Sequence, residues 1–126
     1  MGSAFGGAIE LPPDITAVAL ARRHVVDRLR GERHELVSDV QLVASEMVTN
    51  AVVYGRGASW ISIEPDHGPG VVRVSVADHV ARPPLFIVRA PDDALRVTIV
   101  FGLADRWGAE YGDDGKVVWC EFDRSA

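Results

Sequence analysis

Glu46 and Asn50 stand four residues apart in the run Leu42-Val43-Ala44-Ser45-Glu46-Met47-Val48-Thr49-Asn50-Ala51-Val52-Val53-Tyr54-Gly55, which is otherwise mostly apolar and helical in period. Residues at i and i+4 share one face of a helix. An acid and an amide held side by side on a stiff support can serve a metal–phosphate group and the hydroxyl that attacks it. Mg²⁺ takes oxygen ligands and neutralises phosphate charge, and a carboxylate within hydrogen-bond reach takes a hydroxyl proton. On a wheel of ~100° per residue, Val40, Ala44, Met47, Val48 and Ala51 form one apolar face. Ser38, Ser45 and Thr49 form a separate polar face. Glu46 and Asn50 fall with Asp39 at the border of the apolar face, and Leu42 and Val53 separate them from the Ser/Thr stripe. Asn is a poor helix-interior residue and has no capping role here. Val48, Ala51 and Val52 flank Asn50, so its amide is expected to be half buried and in need of a partner. The plain alternative is a solvated helix edge, because exposed glutamates on helices are common.

The elements that must carry these groups follow from periodicity and turn chemistry. Asp14, after Pro12-Pro13, is a reasonable N-cap. Ile15, Val18, Arg22, Val25 and Leu29 then predict a helix from about Ile15 to Arg30. Ser38 and Gln41 have the spacing of a capping box and are read as opening the second helix, which Gly55-Arg56-Gly57 ends near Tyr54. Ser59–Glu64 and Val71–Ala77 alternate like strands around a turn-rich Pro65–Gly70, a predicted antiparallel hairpin. Asp78–Pro91 holds three prolines and is expected to be irregular. Asp92–Ala104 is ambiguous between helix and strand, because Val97-Thr98-Ile99-Val100-Phe101 is β-branched while its length and Asp residues suit a helix. Trp107–Tyr111, the Gly112-Asp113-Asp114-Gly115 turn and Lys116–Phe122 predict a final hairpin.

Composition bounds the rest. A chain of 126 residues with 48% hydrophobic and 25% charged residues fits one soluble globular domain, here 9–124 after a Gly-rich flexible leader, 1–8. A net charge of −5 argues against nucleic-acid binding by phosphate neutralisation and against docking on an anionic membrane, but leaves a basic protein partner open. Twelve of the thirteen basic residues are Arg, with Lys116 the only Lys, as a GC-rich genome would favour. Cys120, the single cysteine, sits in an apolar strand-like run and is expected to be a buried, inert thiol. No segment is read as a bilayer span and no signal peptide is seen, so a cytoplasmic protein is expected. The histidines and Cys120 lack zinc-like spacing, and no Gly-x-Ser-x-Gly elbow or Walker-type loop occurs.

The run Ser45-Glu46-Met47-Val48-Thr49-Asn50-Ala51-Val52 resembles the N-box of the histidine-kinase-like ATPase superfamily (Bergerat fold), in the form of the actinobacterial anti-sigma-factor serine kinases. Tyr54 stands where such proteins often have His. Val74-Ser75-Val76-Ala77-Asp78 with Ala81-Arg82-Pro83-Pro84 resembles their adenine-recognising strand and loop. Gly102-Leu103-Ala104-Asp105-Arg106-Trp107-Gly108 and Gly115-Lys116-Val117-Val118-Trp119-Cys120-Glu121-Phe122 resemble the later segments. The similarity covers about Ile9 to Phe122. It implies a two-layer α/β sandwich with helices on one face of a mixed or antiparallel sheet, in the order α-α-β-β-α-β-β, and it decides for a helix at Asp92–Ala104. It further implies Mg-ATP as cofactor, Asn50 as the metal ligand, Glu46 as general base on an acceptor serine, and Asp78 as acceptor from the adenine amino group. Without the resemblance, Asp78 is a strand-end turn acid. The implied partners are a sigma factor or a small phosphorylatable anti-sigma antagonist, and the implied assembly is a homodimer.

Three departures stand against that pattern. The Gly-Arg-Gly-like segment that opens the third helix and closes backbone amides on phosphates is Ala94-Leu95-Arg96 here, and the added Cβ atoms restrict φ > 0 and crowd the phosphates. The Asp-x-Gly motif reads Asp78-His79-Val80, a weaker departure because many actinobacterial relatives lack that Gly too. Val117 stands where a Thr hydroxyl often helps hold adenine. One such hydrogen bond is worth about 1 kcal/mol, and several lost together cost orders of magnitude in affinity. Arg96 is a candidate phosphate contact in place of the lost amides, against its plain reading as an exposed arginine. His79 is a candidate neighbour of the site or a loop histidine with no task. Leu85-Phe86-Ile87-Val88 is either a contact patch or a cover for an empty cleft. The reading that follows is a regulatory protein acting by protein–protein binding, with weak or absent ATP binding. The rival is an active ATP-dependent protein serine/threonine kinase.

Overall fold

The apolar face of the second helix dictates the architecture, because it can be covered only by a sheet presenting its own apolar side. The computed structural model describes residues 7–54, 56–79 and 102–124. The elements are β1 (Ala8–Glu10), α1 (Thr16–Arg28), α2 (His34–Tyr54), β2 (Ala58–Gly68), β3 (Val71–Asp78), β4 (Arg106–Tyr111) and β5 (Lys116–Asp123). The strands form one antiparallel sheet in the order β1-β2-β3-β5-β4, and both helices pack on one face of it. The expected two-layer sandwich and both expected hairpins are present.

The core lies between the layers. Val40, Val43, Ala44, Met47, Val48 and Ala51 of α2 are buried against Ile61 and Ile63 of β2, Val72, Val74 and Val76 of β3, and Val118, Cys120 and Phe122 of β5. Each fully buried Val or Leu side chain contributes about 1.5–3 kcal/mol. Cross-strand register puts Val72, Val74, Val76 and Asp78 on the same side as Phe122, Cys120, Val118 and Lys116. The helix-facing side of the sheet therefore ends, at one edge of the sandwich, in two charged residues. Cys120 is buried as expected, and burial raises its thiol pKa, which leaves it inert.

The other side carries a polar network across β3, β5 and β4. Arg106 Nε donates to Glu121 Oε1 at 2.8 Å, its Nη2 to Asp123 Oδ1 at 2.6 Å, and Arg73 Nη1 to Glu121 Oε2 at 3.1 Å. The Arg73 guanidinium lies 4.3 Å from the centre of the Trp119 ring. The hydrogen bonds from Arg106 hold the Glu121 and Asp123 carboxyls below their ordinary range.

Four sequence expectations change. The helix α2 starts at His34, a turn before Ser38. Leu36 is buried and continues the apolar stripe of Val40 and Met47, so the helix begins directly after the Gly31 turn. Ser38 caps nothing, and Gln41 joins the two helices instead. Gln41 Nε2 donates to the Arg22 carbonyl at 3.2 Å, Arg22 Nη1 to Ser45 Oγ at 2.8 Å, and Ser45 Oγ to the Gln41 carbonyl at 2.7 Å. Strand β1 was not foreseen; three residues carry too little periodicity to read. It starts at Ala8, inside the segment read as leader, and the preceding Gly7 carbonyl accepts from the Ile63 N–H at 2.6 Å and faces His24 Nε2 at 2.9 Å. Strand β2 runs on to Gly68, taking Pro65 into an irregularity between Glu64 and Gly68. The stretch His34–Val53, with mean hydropathy 1.2, is long and apolar enough to cross a membrane by length and composition, contrary to expectation. Its buried face is the one packed against the sheet, as in core helices. The expected third helix over Asp92–Ala104 falls mostly outside the described residues, as do Val80, Leu85-Phe86-Ile87-Val88 and Ala94-Leu95-Arg96.

Candidate functional site

Helix α2 ends where the sheet's charged edge begins. The Gly57 N–H donates to the Ala51 carbonyl at 2.9 Å, and Gly57 adopts φ +93°, a conformation that turns the chain back from the helix into β2. The first residue of β2, Ala58, pairs with Asp78, the last residue of β3. The C-terminal turns of α2, with Asn50, and the end of β3, with Asp78, thus lie at the same edge of the sandwich. Lys116, the first residue of β5, pairs with Asp78 from the other side.

Glu46 and Asn50 are both half-buried, on the border of the apolar face as the helical wheel predicts. Among the described residues no hydrogen bond reaches either side chain. Both keep their chemistry available: the Glu46 carboxylate can accept a proton, and the Asn50 carbonyl oxygen is a hard donor of the kind Mg²⁺ takes. Leu42 and Val53 beside them are exposed.

Asp78 has a different environment. Its side chain is 6% exposed, and its Oδ2 lies 2.7 Å from Nζ of Lys116, whose side chain is 7% exposed. An ammonium within this distance forms a charge-assisted hydrogen bond, about twice as strong as a neutral one. The close pairing is built into the backbone. A Cβ on Gly115 would overlap the Asp78 carbonyl oxygen, so only glycine lets β5 start against β3 at this point. Val117, where the sequence reading placed a missing hydroxyl, pairs with Ala77 and lies on the opposite side of the sheet from Asp78. The position that faces Asp78 is 116. The sequence reading missed Lys116 as a site residue. Its signal was the Gly-Lys pair at a strand start, but the partner is set by a register between strands some forty residues apart.

The structure therefore brings Asn50, Asp78 and Lys116 to one edge, with Glu46 one helical turn further along α2. His79 follows Asp78 and is exposed. Arg96, the candidate phosphate contact, lies outside the described residues. For Mg-ATP the fit is divided. The helix offers suitable oxygen donors, whereas the carboxylate expected to receive an adenine amino group is already bound to an ammonium. Lys116 Nζ engages one oxygen, Oδ2, of that expected acceptor.

Comparison with known proteins gives the context. The model of the histidine kinase-like ATPase domain matches residues 11–121. The RsbU and RsbW domains of Rv1364c from Mycobacterium tuberculosis share the fold, with a TM-score of 0.70 and 22% identity over 92% of this chain. The chain spans 31% of that structure's chain. The histidine kinase domain of the blue-light activated histidine kinase EL346 from Erythrobacter litoralis shares it more distantly, with a TM-score of 0.56 and 15% identity, covering 94% of this chain and 69% of that one. Among curated proteins, none matches the chain.

Proposed function

The chain belongs to the histidine kinase-like ATPase domain family, and on that premise we propose that it is a cytoplasmic regulatory protein of the anti-sigma-factor kinase-like kind. It acts by binding a protein, with weak or absent ATP binding. The partner is a sigma factor or a small antagonist of an anti-sigma factor, and the assembly is a homodimer without direct contact to nucleic acid or membrane. The RsbW domain in the similar structure supports the anti-sigma setting.

The observation that carries the reading is the segment Ala94-Leu95-Arg96. A phosphate-closing loop needs glycine where backbone amides must turn inward with φ > 0. Side chains at both glycine positions remove that freedom, and a single Arg96 guanidinium does not restore a closing loop. A domain that keeps its scaffold and loses its phosphate flap is left with surfaces for binding proteins.

Affinity for purified sigma factors and small antagonists from the source genome tests this, measured with and without Mg-ATP. The expected result is tight binding to one of them, unchanged by nucleotide. Binding that requires Mg-ATP, or transfer of its γ-phosphate to the antagonist, overturns it. Sedimentation analysis checks the homodimer. The rival reading, an active serine/threonine kinase, is favoured by the half-buried Glu46 and Asn50 side chains, which no hydrogen bond engages among the described residues. It assigns the base to Glu46, Mg²⁺ to Asn50 and adenine to Asp78.

A further inference from the structure

We infer that His67 is a proton-operated latch on the side of the sheet away from the helices. Neutral, it holds the irregular end of β2 to Arg73 of β3; protonated, it lets Arg73 go and turns to two carboxylates. His67 lies in the irregular stretch of β2 between Glu64 and Gly68. Its Nε2 stands 3.1 Å from Nη1 of Arg73. Arginine stays charged and can only donate, so Nε2 is the acceptor and the ring proton sits on Nδ1. The contact therefore requires a neutral imidazole in one tautomer. Arg73 is the fixed partner. Its Nη1 also donates to Glu121 Oε2 at 3.1 Å, and its guanidinium lies 4.3 Å from the centre of the Trp119 ring. Its side chain is 18% exposed, against 37% for His67.

A proton on Nε2 sets two donors and two positive charges against each other at this distance. Acceptors for the charged ring already stand beside it. Glu121 Oε2 is 3.6 Å from Nε2, and Glu64 Oε1 is 3.7 Å from Nδ1. Both are just beyond a normal hydrogen bond, so a small swing of the ring completes them. Glu121 need not release Arg73, because a carboxylate oxygen accepts more than one hydrogen bond. The added charge also has a place. Arg106 pairs with Glu121 and Asp123, so two guanidiniums, of Arg73 and Arg106, stand among three carboxylates, of Glu64, Glu121 and Asp123. The imidazolium cancels the excess negative charge. Asp66, next to His67 in the chain, is taken up by Arg124. Histidine changes charge between about pH 5 and 8. Glu121 and Asp123 are held below the ordinary carboxylate range by Arg106 and stay ionised across that window.

NMR of the ¹⁵N-labelled full chain tests this, following the His67 ring nitrogens, the Arg73 guanidinium and the Trp119 indole N–H from pH 8 to pH 5. At pH 8 the His67 proton is expected on Nδ1, the reverse of the tautomer that free histidine favours. An Nε2–H tautomer at pH 8 overturns the inference. As the pH falls, the Arg73 and Trp119 signals are expected to move with the same midpoint as the His67 ring. Signals that stay still while His67 titrates overturn it too. His67→Gln keeps a neutral acceptor for Arg73 and cannot take up a proton, so the Arg73 and Trp119 shifts are expected to vanish in it. Shifts of equal size in this variant assign the response to another group and overturn the latch. Arg73→Met removes the donor, and the fixed Nδ1–H tautomer of His67 is expected to be lost with it. A tautomer that persists there shows that Arg73 does not hold the ring. The cluster lies on the opposite side of the sheet from Asp78, so these outcomes are independent of those for the proposed function.

Discussion

A buried acid and a buried base hold each other in a balance that neither tolerates losing. Asp78→Ala removes the buried carboxylate that lies 2.7 Å from the Lys116 ammonium at the start of β5. It is expected to cost about 3–5 kcal/mol of unfolding free energy, checked by urea denaturation. Gly115→Ala acts on the same contact through the backbone, because its methyl group overlaps the Asp78 carbonyl. The expected loss is about 1–3 kcal/mol, as for other overpacked sites, seen as a lower melting temperature. On the opposite side of the sheet, Glu121 and Asp123 titrate lower in the folded chain than in the unfolded one, because Arg106 donates to both. Their contribution is complete above the ordinary carboxylate range and is lost as pH falls through their folded-state values. The stability gap between wild type and Arg106→Ala is therefore expected to close as pH drops from about 6 toward 3, and a gap that stays constant contradicts the network.

At the scale of elements, α2 does two jobs with two faces. Met47 is 3% exposed and Leu42, on the border with Glu46, is 44% exposed. Met47→Ala is expected to cost about 2–5 kcal/mol and Leu42→Ala no more than about 0.5 kcal/mol, measured by the same denaturation. What was legible in the sequence follows this division. The apolar stripe from Val40 to Ala51 fixed the buried face, and the alternation in Val72, Val74 and Val76 fixed the side of β3 that meets it. Glu46 and Asn50 were legible because their spacing is local. The start of α2 was misread because the Ser38–Gln41 spacing imitated a capping box, while the buried Leu36 marked the true first turn. The Asp78–Lys116 pair was invisible for a different reason. It depends on β5 entering the sheet between β3 and β4, and no local pattern encodes which strand a given strand will join.

The whole molecule has the scaffold of a histidine kinase-like ATPase domain, and under the proposed function its two ends differ. The helix end retains an acid and an amide with the chemistry for a metal–phosphate group. The sheet end has Asp78 paired with the chain's one lysine, and Ala94-Leu95-Arg96 stands where the proposed function places the glycine positions of a phosphate flap. A binding protein needs only the shape of such a scaffold, and a kinase needs both ends working together. The most direct test is a thermal-shift titration with Mg-ATP. A ligand at 100 times its Kd adds about 2.7 kcal/mol of stability, which a domain of this size reports as a rise of several degrees in Tm. The account predicts no shift for the wild type at millimolar Mg-ATP. A clear shift that disappears in Asn50→Ala would contradict it.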